Sequence, residues 1–252
     1  MTQKVIDGIN FPNYTHISRL GSATAIDAIK EGIRFYKLCK PYLNNKTESS
    51  IYVDFGCGTG RIFRIFMKDF HRENMIGVDV IDEFIKICKK DFDGYNFTLI
   101  PYRPPTHLES NSIDFITAYS VFSHFGPLQG LRWIKEFARI LRPGGFAFLT
   151  TSGKAVINLV KFKDVNELRN DHKYIRRLLE LIGKFEEAEE IFDKGEILFF
   201  PGTAKDYNPF DYGVAFVSPG FIKRLWGEYF NLIDYIDDYE KLEQAFIVLQ
   251  KK

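Results

Sequence analysis

VDFGCGTGR, residues 53–61, is the stretch on which the fold is decided. An apolar run closes on an acid, Asp54, and Gly56, Gly58 and Gly60 follow on alternate positions. Glycine gives up more conformational freedom on ordering than any other residue, so a turn this bare implies a very tight bend or a close approach to the backbone. A strand that runs through glycines into a helix cradles a pyrophosphate when the spacing is G-x-G-x-x-G. Here the third glycine comes one residue early, and an acid beside a pyrophosphate would repel it. That disfavours an NAD-binding oxidoreductase.

Outward from this turn the chain alternates. Strand-like runs fall at 51–55, 74–80, 96–100, 113–120 and 145–151, and helix-like segments at 59–70, 82–91 and 128–142. An amphipathic helix over 23–43 precedes them. Strands alternating with helices of this length predict a parallel sheet with helices on both faces. After residue 151 the rhythm breaks into a charge-rich helical stretch and a loop-like FFPGTAKDYNPFDYG, too long for an ordinary crossover. A helix capped by Ser218 comes next, then two strand-like runs at 231–237 and 244–250, whose short connection permits only an antiparallel pair.

Composition sets the outer limits. The chain has 252 residues, 45% hydrophobic and 27% charged, with 25 Phe and 13 Tyr, enough for one α/β domain with a large aromatic core. Lys plus Arg (34) balances Asp plus Glu (33) with no basic stripe, which disfavours nucleic acid as a partner. Three widely spaced cysteines, no CxxC pair and no Cys/His ligand spacing indicate a reducing, cytoplasmic setting without structural zinc. The first residues lack signal-peptide character, and no apolar run is long enough to span a membrane.

A parallel sheet ending in an antiparallel hairpin, behind VDFGCGTGR, resembles the class I S-adenosylmethionine-dependent methyltransferases. The motifs cover about 50–150, and the pattern also 218–250. The resemblance implies an α/β, Rossmann-like, seven-stranded, mostly parallel sheet with its last strand antiparallel. It implies one domain: an N-terminal cap and helix (1–45), a donor-binding core (50–151), a substrate-covering insertion (152–217), and a final helix and hairpin (218–252). S-adenosyl-L-methionine is then the cofactor, with Asp54, Phe55, Gly56, Cys57, Gly58 and Gly60 holding its amino-acid end and ribose. Asp79, closing GVDV, accepts the ribose hydroxyls, and Val80 lies against the adenine. Tyr119 and Ser120, in IDFITAYSVFSHF, contact the methionine portion, and Arg19 is a candidate partner for its carboxylate. The acid common directly after the family's third strand is absent from LIPYRPPTH, leaving main-chain groups near Ile100 and Pro101 for the adenine.

O-methylation needs a base, because a hydroxyl is a poor nucleophile while protonated. His124, just past the fourth strand, is the first candidate, against the plain alternative of a histidine that packs or caps the next helix. Tyr14, His16, Asp206, Tyr207, Asp211 and Tyr212 are candidate acceptor contacts. No metal is expected, since AYSVFSH lacks the acids of metal-assisted catechol-type enzymes. The SVFSHF motif, the RPGG turn and the Trp226 helix resemble small-molecule and glycan-tailoring methyltransferases. That resemblance implies O-methylation of a sugar or nucleotide-linked sugar in bacterial capsule or surface-polysaccharide assembly. N- or O-methylation of another small metabolite and a catalytically silent binding module stay open, and a homodimer is compatible.

Overall fold

The computed structural model describes residues 4–6, 9–11, 25–162, 173–202 and 208–252. The expected site residues Tyr14, His16, Arg19, Asp206 and Tyr207 lie outside these. The chain divides into two compact units. One takes in residues up to Tyr119 with Glu136–Phe148 and Lys251; the other holds Ser120–Lys135, Leu149–Gln250 and Lys252.

A short antiparallel pair, β1 (Lys4–Ile6) and β2 (Ile9–Phe11), comes first; it was not expected, although the Asp-Gly dipeptide between KVI and INF is a hairpin signal in the sequence. The leading helix α1 (Ala25–Cys39) ends earlier than its apolar spacing suggested, passing into a 3-10 turn over Lys40–Leu43. Pro41 explains this: it has no N–H to extend the α ladder. Then β3 (Tyr52–Phe55), α2 (Phe63–Phe66), β4 (Met75–Asp79), α3 (Asp82–Asp91), β5 (Asn96–Leu99) and β6 (Ile113–Ala118) build the first unit's sheet. Its strands run parallel in the order β6-β3-β4-β5. In α3, Ile85 and Cys88 are buried one turn apart, while Asp82 and Glu83 in the first turn and Lys89 and Lys90 in the last complement the helix dipole. The aromatic excess resolves into core: Tyr52 stacks on Phe66 at 4.8 Å, and Phe63 packs on Phe97 at 4.5 Å, all four fully buried or nearly so. Removing one such ring would cost roughly 3–5 kcal/mol.

Two expectations here need correction. The helix expected over 59–70 is regular only at Phe63–Phe66, because residues 56–62 are consumed by the glycine turn. The strand expected from residue 145 begins at Leu141, as β7 (Leu141–Thr151) after α4 (Pro127–Ile140). The Pro143-Gly144-Gly145 turn is thus a kink inside the strand, with Gly144 at φ 80°.

In the second unit, α5 (Lys154–Lys161), α6 (Lys173–Ile182) and α7 (Phe185–Asp193) enclose a core of Val156, Ile157, Val160, Leu178, Ile182 and Phe192 against the hairpin β8 (Ile197–Pro201) and β9 (Gly213–Val217). The stretch read as loop is therefore partly strand. Its Gly, Pro, Asn and Asp punctuate the hairpin connection, while FFP before and GVAFV after it pair. Ser218 caps the next turn, its hydroxyl accepting from Phe221 N at 3.1 Å. Behind this cap the expected helix is only three α residues, α8 (Pro219–Phe221), and a π turn over Ile222–Trp226. Strands β10 (Phe230–Ile236) and β11 (Ala245–Lys251) close the fold.

The full sheet has seven strands in the order β10-β11-β7-β6-β3-β4-β5. The short link between neighbours β10 and β11 returns the last strand antiparallel, as the pattern predicted.

Candidate active site

In the first unit the turn after β3 hangs from the end of β4. Gly56 N and Cys57 N both donate to Val78 O, at 2.8 and 3.0 Å. The glycines sit at φ 70°, 53° and 78°, the left-handed region that a side chain adopts only at a cost. At Gly60 space is closed as well: a Cβ there would lie 2.5 Å from the Phe92 ring. Several carbonyls of the turn are bonded from behind. Cys88 Sγ donates to Gly58 O at 3.2 Å, and the buried Arg64 guanidinium donates to Thr59 O and Gly60 O at 3.1 and 2.9 Å. Arg64 also lies over the Phe92 ring, 4.5 Å from its centroid, and burial brings its pKa down to about 10.

Asp54 is 1% exposed, with Oδ2 accepting from Phe63 N at 3.0 Å and Oδ1 from Thr117 Oγ1 at 2.9 Å. It supplies the cap that α2 lacks locally and pins the turn to β6. Burial lifts its carboxyl to about 7, against the opposing pull of these two bonds; the neighbouring Asp79 raises it further. Asp79 accepts from Gly58 N through Oδ2 at 2.8 Å and from Ile81 N through Oδ1 at 2.9 Å, and burial raises its pKa too. Beside it Val80, Ile81 and Leu99 stay 36%, 37% and 46% exposed, a group of apolar side chains at the ends of β4 and β5. Ile100 N, expected near an adenine, is committed to Asp79 O at 2.9 Å. Tyr119, at the end of β6, packs edge-on to Phe35 of α1 at 5.1 Å and lies under the Arg61 guanidinium at 4.6 Å, while Arg61 pairs with Glu31 at 2.9 Å.

In the second unit the segment after β6 runs beside β9. Ser123 O and His124 O accept from Ala215 N and Gly213 N, each at 2.8 Å, and Gly126 N donates to Asp211 O at 3.0 Å. This brings two expected residues together: the His124 ring stacks on Tyr212, centroids 5.2 Å apart. His124 Nδ1 lies 3.0 Å from Gly213 O. A carbonyl can only accept, so Nδ1 carries the proton and Nε2 presents a lone pair. Burial pushes the pKa of His124 down, which keeps the ring neutral. Asp211 is buried and faces Arg132 at 3.3 Å, a scaffold contact. Ser120 is a non-glycine residue at φ 58°, held by Thr150 and Gln244.

Sequence reasoning missed Arg64, Thr117, Thr150 and Gln244. Thr117 carried one signal, a hydroxyl among the apolar Phe115, Ile116 and Ala118 at the end of β6; the others had none, since their partners are set by the fold.

Residues 53–149 match the methyltransferase domain family. Among solved structures, the chain is similar to a protein of Pyrococcus horikoshii, with 16% identity, a TM-score of 0.56, and 87% of this chain and 90% of that one covered. It is similar to an S-adenosylmethionine-dependent methyltransferase of Clostridium acetobutylicum, with 14% identity, a TM-score of 0.56, and coverage of 90% and 93%. A third is the N-methyltransferase NodS of Bradyrhizobium japonicum in complex with S-adenosyl-L-homocysteine, with 12% identity, a TM-score of 0.51, and coverage of 87% and 86%. No curated protein matches the chain by sequence. The matched segment holds the glycine turn and the strands on either side of it, and it is a methyltransferase domain whose cofactor is S-adenosylmethionine.

The residues present fit that cofactor. A buried acid at the end of β4 suits ribose hydroxyls, and the exposed apolar trio beside it suits the faces of an adenine. Among the described residues no cluster of His, Cys, Asp and Glu is arranged to hold a metal ion, and no helix is long and apolar enough to cross a membrane.

Proposed function

We propose that the enzyme methylates a hydroxyl of a small molecule, a sugar or nucleotide-linked sugar of bacterial surface-polysaccharide assembly, with His124 as the general base. The observation that carries the O-methylation reading is the bond between His124 Nδ1 and Gly213 O, which fixes the tautomer whose Nε2 accepts a proton. A neutral imidazole with a downshifted pKa is in the right state to take a hydroxyl proton at neutral pH. Tyr212, stacked on that ring, is the described residue proposed to meet the acceptor; Tyr14, His16, Asp206 and Tyr207 are proposed alongside it from the sequence alone.

When bound, S-adenosylmethionine supplies an electrophilic methyl on a sulfonium, and the protein's task is alignment in a dry site. In this reading Asp79 accepts the ribose hydroxyls, Val80 meets the adenine, and the turn from Phe55 to Gly60 holds the amino-acid end. Asp54 acts through the turn it pins. Because Ile100 N is engaged, the carbonyls of Ile100 and Pro101 are the main-chain groups left for the adenine amino group, which is a donor and needs an acceptor. Tyr119 and Ser120 contact the methionine portion, and Arg19 is proposed for its carboxylate. The near-balance of charge and the long segment 152–217 support a discrete small acceptor over nucleic acid.

The test is a methylation screen with isotope-labelled donor across nucleotide-linked sugars, simple amines and carboxylates. Label on a sugar hydroxyl is the expected outcome. Exclusive labelling of amines would replace the O-methylation reading and remove the need for a base.

A further inference from the structure

The His124 ring is half-buried, and its Nε2 meets no partner among the described residues. Its other sides are taken: Nδ1 lies 3.0 Å from Gly213 O, and Tyr212 stacks on the ring at 5.2 Å between centroids. A further neighbour comes from α6. That helix buries Leu178 in one core with Val214 of β9, and Val214 follows Gly213, to which His124 bonds through both backbone and ring. The residue before Leu178 is Arg177, and its guanidinium is the charge that acts on the imidazole.

Arg177 is exposed, and among the described residues it makes no hydrogen bond and no ion pair. Other cations of this unit are compensated: Arg132 faces Asp211 at 3.3 Å, and Lys161 pairs with Glu189 at 2.9 Å. Arg177 instead faces the candidate base. Burial first, and the guanidinium after it, push the pKa of His124 down against the bond to Gly213 O. A like charge beside an imidazole disfavours its protonated form. A planar guanidinium with no carboxylate to hold suits anionic oxygens, which its parallel N–H groups take two at a time.

We propose that Arg177 binds an anionic group of the acceptor, the same molecule that presents its hydroxyl to His124. The chemistry is that of anionic oxygens, from the diphosphate of a nucleotide-linked sugar or the carboxylate of a sugar acid. This rests on the reading of His124 as the base and narrows the acceptor from any sugar to a charged one. It has a mechanistic consequence. The bound anion offsets the guanidinium charge, so His124 becomes more basic once the acceptor is in place. The ring then takes the hydroxyl proton more readily, an effect that a neutral sugar does not produce.

The experiment is an NMR titration of the full chain at low ionic strength with three probes: UDP-glucose, glucuronate and the neutral methyl glucoside. One of the two anions should bind, and which one does tells a diphosphate from a carboxylate. Arg177→Gln should weaken that binding about tenfold or more and leave methyl glucoside as it was. Arg177→Lys, which keeps the charge and loses the fork, should recover part of the affinity. The His124 ring is followed in the same spectra, assigned with His124→Ala. Its pKa should rise when the anion is added to the wild type; in Arg177→Gln it should start higher and no longer move. A role in scaffolding alone would not divide the probes by charge or move that titration. Binding of neither anion, equal affinities in wild type and Arg177→Gln, parallel losses for anion and methyl glucoside, or a His124 titration that the anion leaves unchanged would each overturn the proposal. The O-methylation reading fails separately, through label on amines alone in the methylation screen.

Discussion

Gly58 N donates to Asp79 Oδ2 across 2.8 Å, so the glycine turn after β3 and the acid closing β4 are one hydrogen-bonded unit. Ile81 N bonds the other oxygen of the same carboxylate. The residue proposed to read the ribose therefore also shapes the turn proposed to hold the amino-acid end, and the two functions are coupled in one side chain.

Asp79→Ala should weaken S-adenosylhomocysteine binding more than about tenfold, since two hydroxyls and Gly58 N all lose an acceptor. Calorimetric titration checks this. An unchanged affinity would remove Asp79 from the donor site.

Gly60→Ala combines a strained φ of 78° with a Cβ 2.5 Å from Phe92. A loss of about 2–4 kcal/mol in urea unfolding is expected from the two penalties together. Adding Phe92→Leu should recover the steric part and leave the conformational part.

Asp54 gives a pH dependence whose sign is set by burial. Its folded pKa, about 7, is above the ordinary 3.8, so the folded state holds a proton that the unfolded state releases between those values. Its contribution to stability is full below pH 3.8 and is lost as pH rises through 7. Denaturant unfolding of the wild type and Asp54→Asn at several pH values should show the wild type losing ground to the variant across that window and no further change above it. A flat difference would mean that the carboxyl is already ionised.

His124→Ala should lower turnover by about a hundredfold or more and leave donor affinity within about twofold, if the imidazole is the base. Because burial lowers its pKa, the acid limb of the wild-type rate profile should fall below 6.5. The rate declines as pH drops through that lowered value, where the ring takes up a proton. A variant with wild-type rates would move the base elsewhere.

Much of the fold was legible because it is local. Alternating apolar runs and helical segments mark a parallel sheet, and an acid ahead of three alternate glycines marks the turn. The β8–β9 hairpin was not legible, because its strands sit inside a stretch rich in Gly, Pro, Asn and Asp that reads as loop until FFP finds GVAFV. Helix α2 was overestimated for the converse reason: apolar periodicity continues through residues whose backbone the glycine turn has already claimed.

By itself the sequence determined the succession of core strands along the chain and the acid-and-glycine turn that follows the first of them, since these depend on spacing along a short piece of chain. Only the tertiary structure decided how those groups are held: that Asp54 is buried on Phe63 N and Thr117, that His124 carries its proton on Nδ1, and that Gln244 and Thr150 close on Ser120. Hydrogen-bond direction and burial are set by partners up to 124 positions apart, which no local pattern encodes.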